Sequence, residues 1–173
     1  MAAAARRQVL LIQVLRNPLD TIASIRQAEF VDLPTSIDDQ VELYREFLDA
    51  GFQFKSEHPL RYCAVLYEEL VADPERVLGA LMEFLGERFE TQQLRFNDQP
   101  HQSGLEDPKV AETSEVHRAS VHRWPEVLST AEARTVWNGT ADLWRRIDPN
   151  GRFVSAPGGG SAPRGLDRAA RSS

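Results

Sequence analysis

The chain has 173 residues, of which 42% are hydrophobic and 27% charged, so it suits one globular domain with a core of its own. Its formal net charge of −6 argues against nucleic acid or an anionic membrane surface as the main partner. Cys63 is the single cysteine, and no Cys/His pattern has zinc spacing, which argues against a disulfide and a structural metal.

The amino-terminal sequence does not predict secretion. Its apolar run is short, Gln13 interrupts it, Arg16 ends it, and no small-residue cleavage site follows. No stretch of the sequence is long and apolar enough to span a bilayer. A lone cysteine also fits a reducing compartment, so we expect a cytoplasmic protein without a membrane partner.

The first predicted elements are a strand and a helix. Residues 8–15 read QVLLIQVL, which is typical of a strand buried on both faces of a parallel sheet. Asn17 is a good N-cap and Pro18 suits a first helical position, so a helix should run from Pro18 to about Phe30. Ser36 then caps a second helix with one apolar face, formed by Ile37, Val41, Tyr44, Leu48 and Phe52.

A second strand and helix follow. Residues 61–67 read RYCAVLY and predict the strand. Asp73 and Pro74 then begin a helix that Gly86 ends. Its predicted apolar stripe consists of Val77, Leu78, Leu81, Phe84 and Leu85.

The last part of the chain contains one long helix. Residues 89–120 have weak periodicity and predict mostly loop with short helices. Ser129 and Glu132 form a capping box for a helix over 130–147. Its buried residues should be Val136, Trp137, Thr140, Leu143 and Trp144. Residues 155–173 are rich in Gly, Pro, Ser, Ala and Arg, and we expect a disordered tail.

This order of elements predicts an α/β fold. Two strands are too few for a parallel sheet whose strands are buried. Either further strands lie in segments predicted as loop, or the chain lacks part of its domain.

The end of the first strand predicts an anion site. Arg16 stands at the carboxyl end of the strand, where ligands of open α/β sheets bind, and the first turn of the next helix offers free N–H groups. Ser24 lies about two turns further along and could add its hydroxyl. The alternative is that Arg16 forms a surface salt bridge with Asp20 and that Ser24 is a small packing residue.

The segment VLRNPLDTIASI resembles the 3′-phosphate-binding segment of sulfotransferases that use 3′-phosphoadenosine 5′-phosphosulfate (PAPS). Four residues match it position for position: Arg16, Pro18, Asp20 and Ser24. The resemblance implies a P-loop-NTPase-like parallel sheet flanked by helices, with a partial sulfotransferase domain over 8–153. It also implies that Arg16 and Ser24 hold the 3′-phosphate of the cofactor.

Two further blocks resemble the same family, in its bacterial form. Residues 65–86, VLYEELVADPERVLGALMEFLG, are similar to the next block, which implies that Tyr67 lies against the adenine. The alternative for Tyr67 is a half-buried core aromatic. Residues 120–133 are similar to the late block, and the resemblance implies that Arg118 and Arg123 belong to the basic loop over the 3′-phosphate.

The family's 5′-phosphosulfate-binding loop has no counterpart here. The only glycine cluster, PGGGSAPRG at 157–165, lies at the wrong end of the chain and reads as part of the tail. The family's usual base also lies upstream of the matching arginine. The chain therefore resembles the carboxyl-terminal portion of a sulfotransferase, and no catalytic residue is assigned. The remaining candidates for a base are His58, His101, His117 and His122.

Three functions are consistent with these features. The first is sulfuryl transfer from PAPS to a hydroxyl or amine of a small-molecule or glycan acceptor, with the isolated chain inactive. The second is a non-catalytic nucleotide-binding or interaction module, completed by a partner or by self-association through an open sheet edge. The third is a degenerate nucleotide kinase, against which the lack of a Walker-type lysine counts.

Overall fold

A computed structural model describes residues 9–28, 33–95, 120–153 and 157. The strands are β1 (Leu11–Leu15) and β2 (Tyr62–Leu66). The helices are α1 (Pro18–Gln27), α2 (Ile37–Glu57), α3 (Tyr67–Ala72), α4 (Pro74–Leu85) and α5 (Thr130–Ile147). Single 3₁₀ turns occupy Pro59–Arg61, Thr91–Leu94 and Trp124–Glu126. The predicted α/β class is confirmed, whereas the predicted tail lies outside the described residues except for Pro157.

The predicted helix starts are confirmed by their hydrogen bonds. The side chains of Asn17 and Ser36 accept from the third backbone N–H of α1 and α2, at 2.9 and 3.1 Å. Ser129 and Glu132 form the predicted capping box, and α5 has the predicted bounds. Helix α1 ends earlier than predicted, because the backbone of Ala28 turns to an extended conformation (φ −83°, ψ 125°).

The two strands are parallel, with Leu11 opposite Tyr62 and Leu15 opposite Leu66. In β1, Gln13 and Leu15 are buried, but Ile12 and Val14 on the other face are 39% and 51% exposed. The prediction that both faces of β1 are buried is therefore wrong for the described residues. The reason is that α2 and α5 cover one face, while α4 covers the other face mainly at β2.

The core lies between α1, α2 and α5. Leu19 and Ile22 of α1 pack against Val136 and Trp144 of α5, and all four are buried. The predicted stripe of α4 is only half-buried, except for Val77. Within the described ranges, no helix is both long and apolar enough to cross a membrane.

Gln13 links the strands to α2 from inside the core. Its side chain is buried; Nε2 donates to the carbonyl of Phe47 at 2.9 Å, and Oε1 accepts from the Tyr62 hydroxyl at 2.7 Å. The residue that interrupts the apolar run is thus a satisfied buried polar group.

Candidate anion-binding site

The structure brings two predicted site residues together where the strands end. Arg16 follows β1, and Tyr67 follows β2 as the first residue of α3. Because the strands are parallel and in register, these residues meet at one edge of the sheet. The guanidinium carbon of Arg16 lies 4.7 Å from the centroid of the Tyr67 ring, a cation–π contact.

The backbone and the side chain of Arg16 are both held in place. Its carbonyl accepts a hydrogen bond from the Tyr44 hydroxyl at 2.8 Å. Its Nη2 donates to the carbonyl of Ser120 at 2.5 Å, while its Nε is buried and bonds to no described residue. A guanidinium has five N–H donors in a fork, so Arg16 retains donors with which it can bind an anion.

A buried polar cluster begins at the residue after Arg16 and consists of Asn17, Asp20 and Glu68. The backbone N–H and the Nδ2 of Asn17 donate to Oε1 of Glu68, at 2.9 and 2.8 Å. Asn17 Nδ2 also donates to Oδ2 of Asp20 at 2.8 Å. These bonds connect the carboxyl ends of both strands to the start of α1.

Asp20 also binds the segment that precedes α5. Its carboxylate accepts from the backbone N–H groups of His122 and Trp124, at 2.7 and 2.9 Å. The segment 120–124 therefore lies against the start of α1, next to Arg16.

The amino terminus of α1 has few free N–H groups, which corrects the prediction from the sequence. Pro18 has no N–H, the Asp20 N–H bonds to Asn17 Oδ1, and the Asn17 N–H bonds to Glu68. Two buried carboxylates already lie at the positive end of the helix dipole. The positive charge that would attract an anion here must therefore come from the Arg16 side chain and not from the helix terminus.

Burial changes the proton affinity of two groups near Arg16. It raises the pKa of the Glu68 carboxyl, an effect that the donors of Asn17 and the charge of Arg16 reduce. The other carboxylate oxygen of Glu68, Oε2, is buried without a partner among the described residues. Burial, with a smaller contribution from Glu68, also raises the pKa of the Tyr44 phenol. Tyr44 is therefore a neutral donor at ordinary pH.

The other predicted residues lie less directly at the site. Ser24 is exposed on α1, and its side chain bonds to no described residue. Arg16 forms no salt bridge with Asp20, and Ser24 is exposed instead of packed. Neither part of the alternative interpretation is therefore found. Arg123 is exposed, with its Nε 3.5 Å from a carboxylate oxygen of Glu126. Arg118 lies outside the described residues, and the phosphate roles of all these side chains stay predictions.

Two of the four histidines named as candidate bases, His58 and His122, lie in the described parts of the chain, and no side-chain hydrogen bond of either is found there. His58 packs its ring against Phe54, with centroids 5.0 Å apart, and His122 contributes its backbone N–H to Asp20. His101 and His117 lie outside those parts. The described residues also contain no group of three or more metal-ligating side chains.

An apolar cleft of about 320 Å³ borders Arg16 on the side of α1 and α2. Its apolar lining includes Val14, Ile25, Leu43 and Phe47. Sequence reasoning assigned Tyr44 to the core and missed Glu68 as a site residue. Their partners are distant in the chain, so neither role has a local sequence signal.

Comparison with known proteins identifies the family. A family model described as "Sulfotransferase family" matches residues 3–91, which include both strands, Arg16 and Tyr67. The chain belongs to the sulfotransferase family. The family resemblance of the segment around Arg16 is thereby confirmed. No curated protein matches this sulfotransferase-family chain.

Two solved sulfotransferase domains have the same fold. The domain from the Synechococcus PCC 7002 olefin synthase aligns with a TM-score of 0.65 at 20% identity, over 82% of this chain and 50% of that one. The domain from the curacin biosynthetic pathway aligns with a TM-score of 0.60 at 20% identity, over 77% of this chain and 52% of that one. The sulfotransferase-family chain thus spans about half the length of these domains.

Proposed function

We propose that this chain binds the adenosine 3′-phosphate end of PAPS at Arg16, as part of an enzyme that transfers a sulfuryl group. The observation that supports this proposal is the placement of the Arg16 guanidinium. It lies at the carboxyl ends of two parallel strands, against Tyr67, with a buried Nε that bonds to no described residue. A buried donor without a partner is costly unless a ligand or water satisfies it.

The proposed roles follow the sequence resemblance and the contacts of each residue. Arg16 binds the 3′-phosphate, and the exposed hydroxyl of Ser24 binds it from the next turns of α1. Arg16 covers one face of the Tyr67 ring, so the adenine uses the other face. Arg118 and Arg123 add positive charge at the rim, for which Arg123 must leave its exposed pair with Glu126.

PAPS, when bound, supplies the sulfuryl group, and the acceptor is a small-molecule or glycan hydroxyl or amine. Transfer needs a base for the acceptor proton and cations at the oxygen that leaves. We assign neither to this chain, which spans about half of the solved domains. We therefore propose that the 173-residue chain binds nucleotide in the cytoplasm but transfers no sulfate alone. Turnover of labelled PAPS by the purified chain would contradict this.

Nucleotide binding by calorimetry tests the site. The chain should bind adenosine 3′,5′-bisphosphate more tightly than 5′-AMP. Arg16→Ala should weaken bisphosphate binding by about 1.5–3 kcal/mol, or roughly 10- to 150-fold, because a charge-assisted hydrogen bond is lost.

Arg134→Ala is the matched control, because Arg134 is exposed on α5 and its replacement changes the net charge by the same amount as Arg16→Ala. It should leave both affinities unchanged. Equal affinity of the wild type for the two nucleotides would rule out a 3′-phosphate site.

A second candidate function is that of an interaction module. It is favoured by the exposed side chains of Ile12, Val14 and Phe47 and by the outer edge of β1, which pairs with no described strand. An open edge beside apolar side chains promotes pairing with another chain or with a second copy. We propose self-association through this edge as the form that such a module would take.

A further inference from the structure

The carboxylate of Asp20 is almost fully enclosed and connects two distant parts of the chain. Asp20 is 1% exposed, although it lies in the first turn of a helix. Its two oxygens accept from the backbone N–H groups of His122 and Trp124, about one hundred residues later in the chain. Hydrogen bonds to an ionised acceptor are roughly twice as strong as neutral ones, so this contact is a firm attachment point for the segment.

The segment adopts an unfavourable backbone conformation at this attachment. His122 has a φ of +62°, in the left-handed region that residues other than glycine seldom occupy. Such a conformation persists only where surrounding contacts enforce it. With the segment held in this way, the carbonyl of Ser120 accepts from Nη2 of Arg16 at 2.5 Å.

We propose that Asp20 is a positioning residue of the anion site: it holds segment 120–124 against the end of β1, and the segment orients Arg16 for the phosphate. This inference rests on the proposed function. Asp20 acts through Arg16 and touches no nucleotide, because its oxygens are occupied by Asn17, His122 and Trp124.

Neutralising Asp20 distinguishes positioning from simple electrostatics. A carboxylate near an anion site repels the anion, so on charge alone Asp20→Asn would tighten phosphate binding. If Asp20 orients Arg16, the same variant weakens binding, because one Asn oxygen cannot replace both acceptors and Arg16 must be ordered by the ligand. We expect a loss of about three- to tenfold for adenosine 3′,5′-bisphosphate, the effect of ordering one long side chain on binding.

Two controls complete the binding experiment. Asp38→Asn makes the same charge change at an exposed position of α2 and should leave the affinity unchanged. In an Arg16→Ala background, Asp20→Asn should have no further effect on affinity, since the residue through which it acts is absent. Tighter or unchanged binding by Asp20→Asn alone would overturn the positioning role, and so would an equal loss in both backgrounds.

Amide hydrogen exchange by NMR examines the attachment without any nucleotide. In the wild type, the N–H groups of His122 and Trp124 should exchange more slowly than the backbone N–H of Arg123, which lies between them and for which no acceptor is found among the described residues. Asp20→Asn should remove this difference. Fast exchange at both positions in the wild type would overturn the attachment itself, whether or not the variant folds.

A last comparison uses chains that retain Asp20. Saturating bisphosphate should slow exchange at His122 and Trp124 further in the wild type but not in Arg16→Ala, because coupling between two sites is reciprocal. No further slowing in a wild type that binds the bisphosphate would overturn the positioning role. A different outcome is slow exchange at His122 and Trp124 in a wild type that shows no preference for the 3′-phosphate. This outcome would refute the proposed function but leave Asp20 as the attachment point of segment 120–124.

Discussion

Gly51, inside α2, lies directly against the buried amide of Gln13. A Cβ atom at position 51 would lie 1.8 Å from Oε1 and 2.4 Å from Nε2 of Gln13. These two atoms form the hydrogen bonds to Tyr62 and Phe47. Gly51→Ala therefore displaces the whole amide and breaks both bonds, although alanine is the better helix former.

The magnitude follows from opposing contributions to the free energy of unfolding. Replacing glycine by alanine inside a helix stabilises by about 1 kcal/mol. A buried Tyr62 hydroxyl without its acceptor costs about 1–3 kcal/mol, and the lost bond to Phe47 costs about 0.5–1.5 kcal/mol more. Gly51→Ala should therefore lower the free energy of unfolding by about 0.5–3.5 kcal/mol, and the upper end is a large part of the stability of an ordinary domain.

Urea unfolding, followed by circular dichroism, measures the difference. Gly79→Ala is the matched control, because Gly79 lies inside α4 and its new Cβ meets no atom within 4 Å. It should stabilise by about 0.5–1 kcal/mol. In a Gln13→Ala background, Gly51→Ala should also become neutral or stabilising, since the obstructing side chain is gone. Stabilisation by Gly51→Ala in the wild type, equal to that by Gly79→Ala, would refute the reasoning.

Two further predictions concern Glu68 and Val14. Replacing Glu68 by glutamine should change the free energy of unfolding more favourably at pH 7 than at pH 4, because burial raises the pKa of this carboxyl above its ordinary value. The wild type then loses stability as the pH rises through the folded-state pKa, whereas glutamine does not titrate; parallel urea midpoints across this range would contradict this. Val14→Lys should reduce self-association in light scattering, because a lysine blunts the open edge of β1, and Thr135→Lys on α5 should not. Monomeric wild type at all concentrations would exclude this mode of association.

The sequence alone determined the local structure of most of the residues that the structure describes. The starts of α1, α2 and α5 follow from Asn17, Ser36 and Ser129, whose side chains bond to backbone three residues away. The apolar spacing of α2 and α5 also identified their buried faces. Such signals are readable because the interacting residues lie within one or two helical turns. The short helix α3 was missed, since its six residues carry too little periodicity.

The sequence also indicated Arg16 and Tyr67, because their segments resemble those of a family and stand at predicted strand ends. It could not show that Arg16 covers a face of Tyr67, nor that Glu68 takes both donors of Asn17. Each of these contacts joins residues about fifty positions apart, and only the parallel pairing of the strands brings them together.

Tertiary structure likewise decided which polar residues are internal. Gln13 interrupts an apolar run and Asp20 looks like an ordinary first-turn acid, yet both are buried and hydrogen-bonded. A buried polar group is stable only where its partners converge on it, and these partners come from β2, α2 and the segment before α5. One face of β1 is exposed for the same kind of reason, because the burial of a strand depends on which elements pack against it and not on its own apolar pattern.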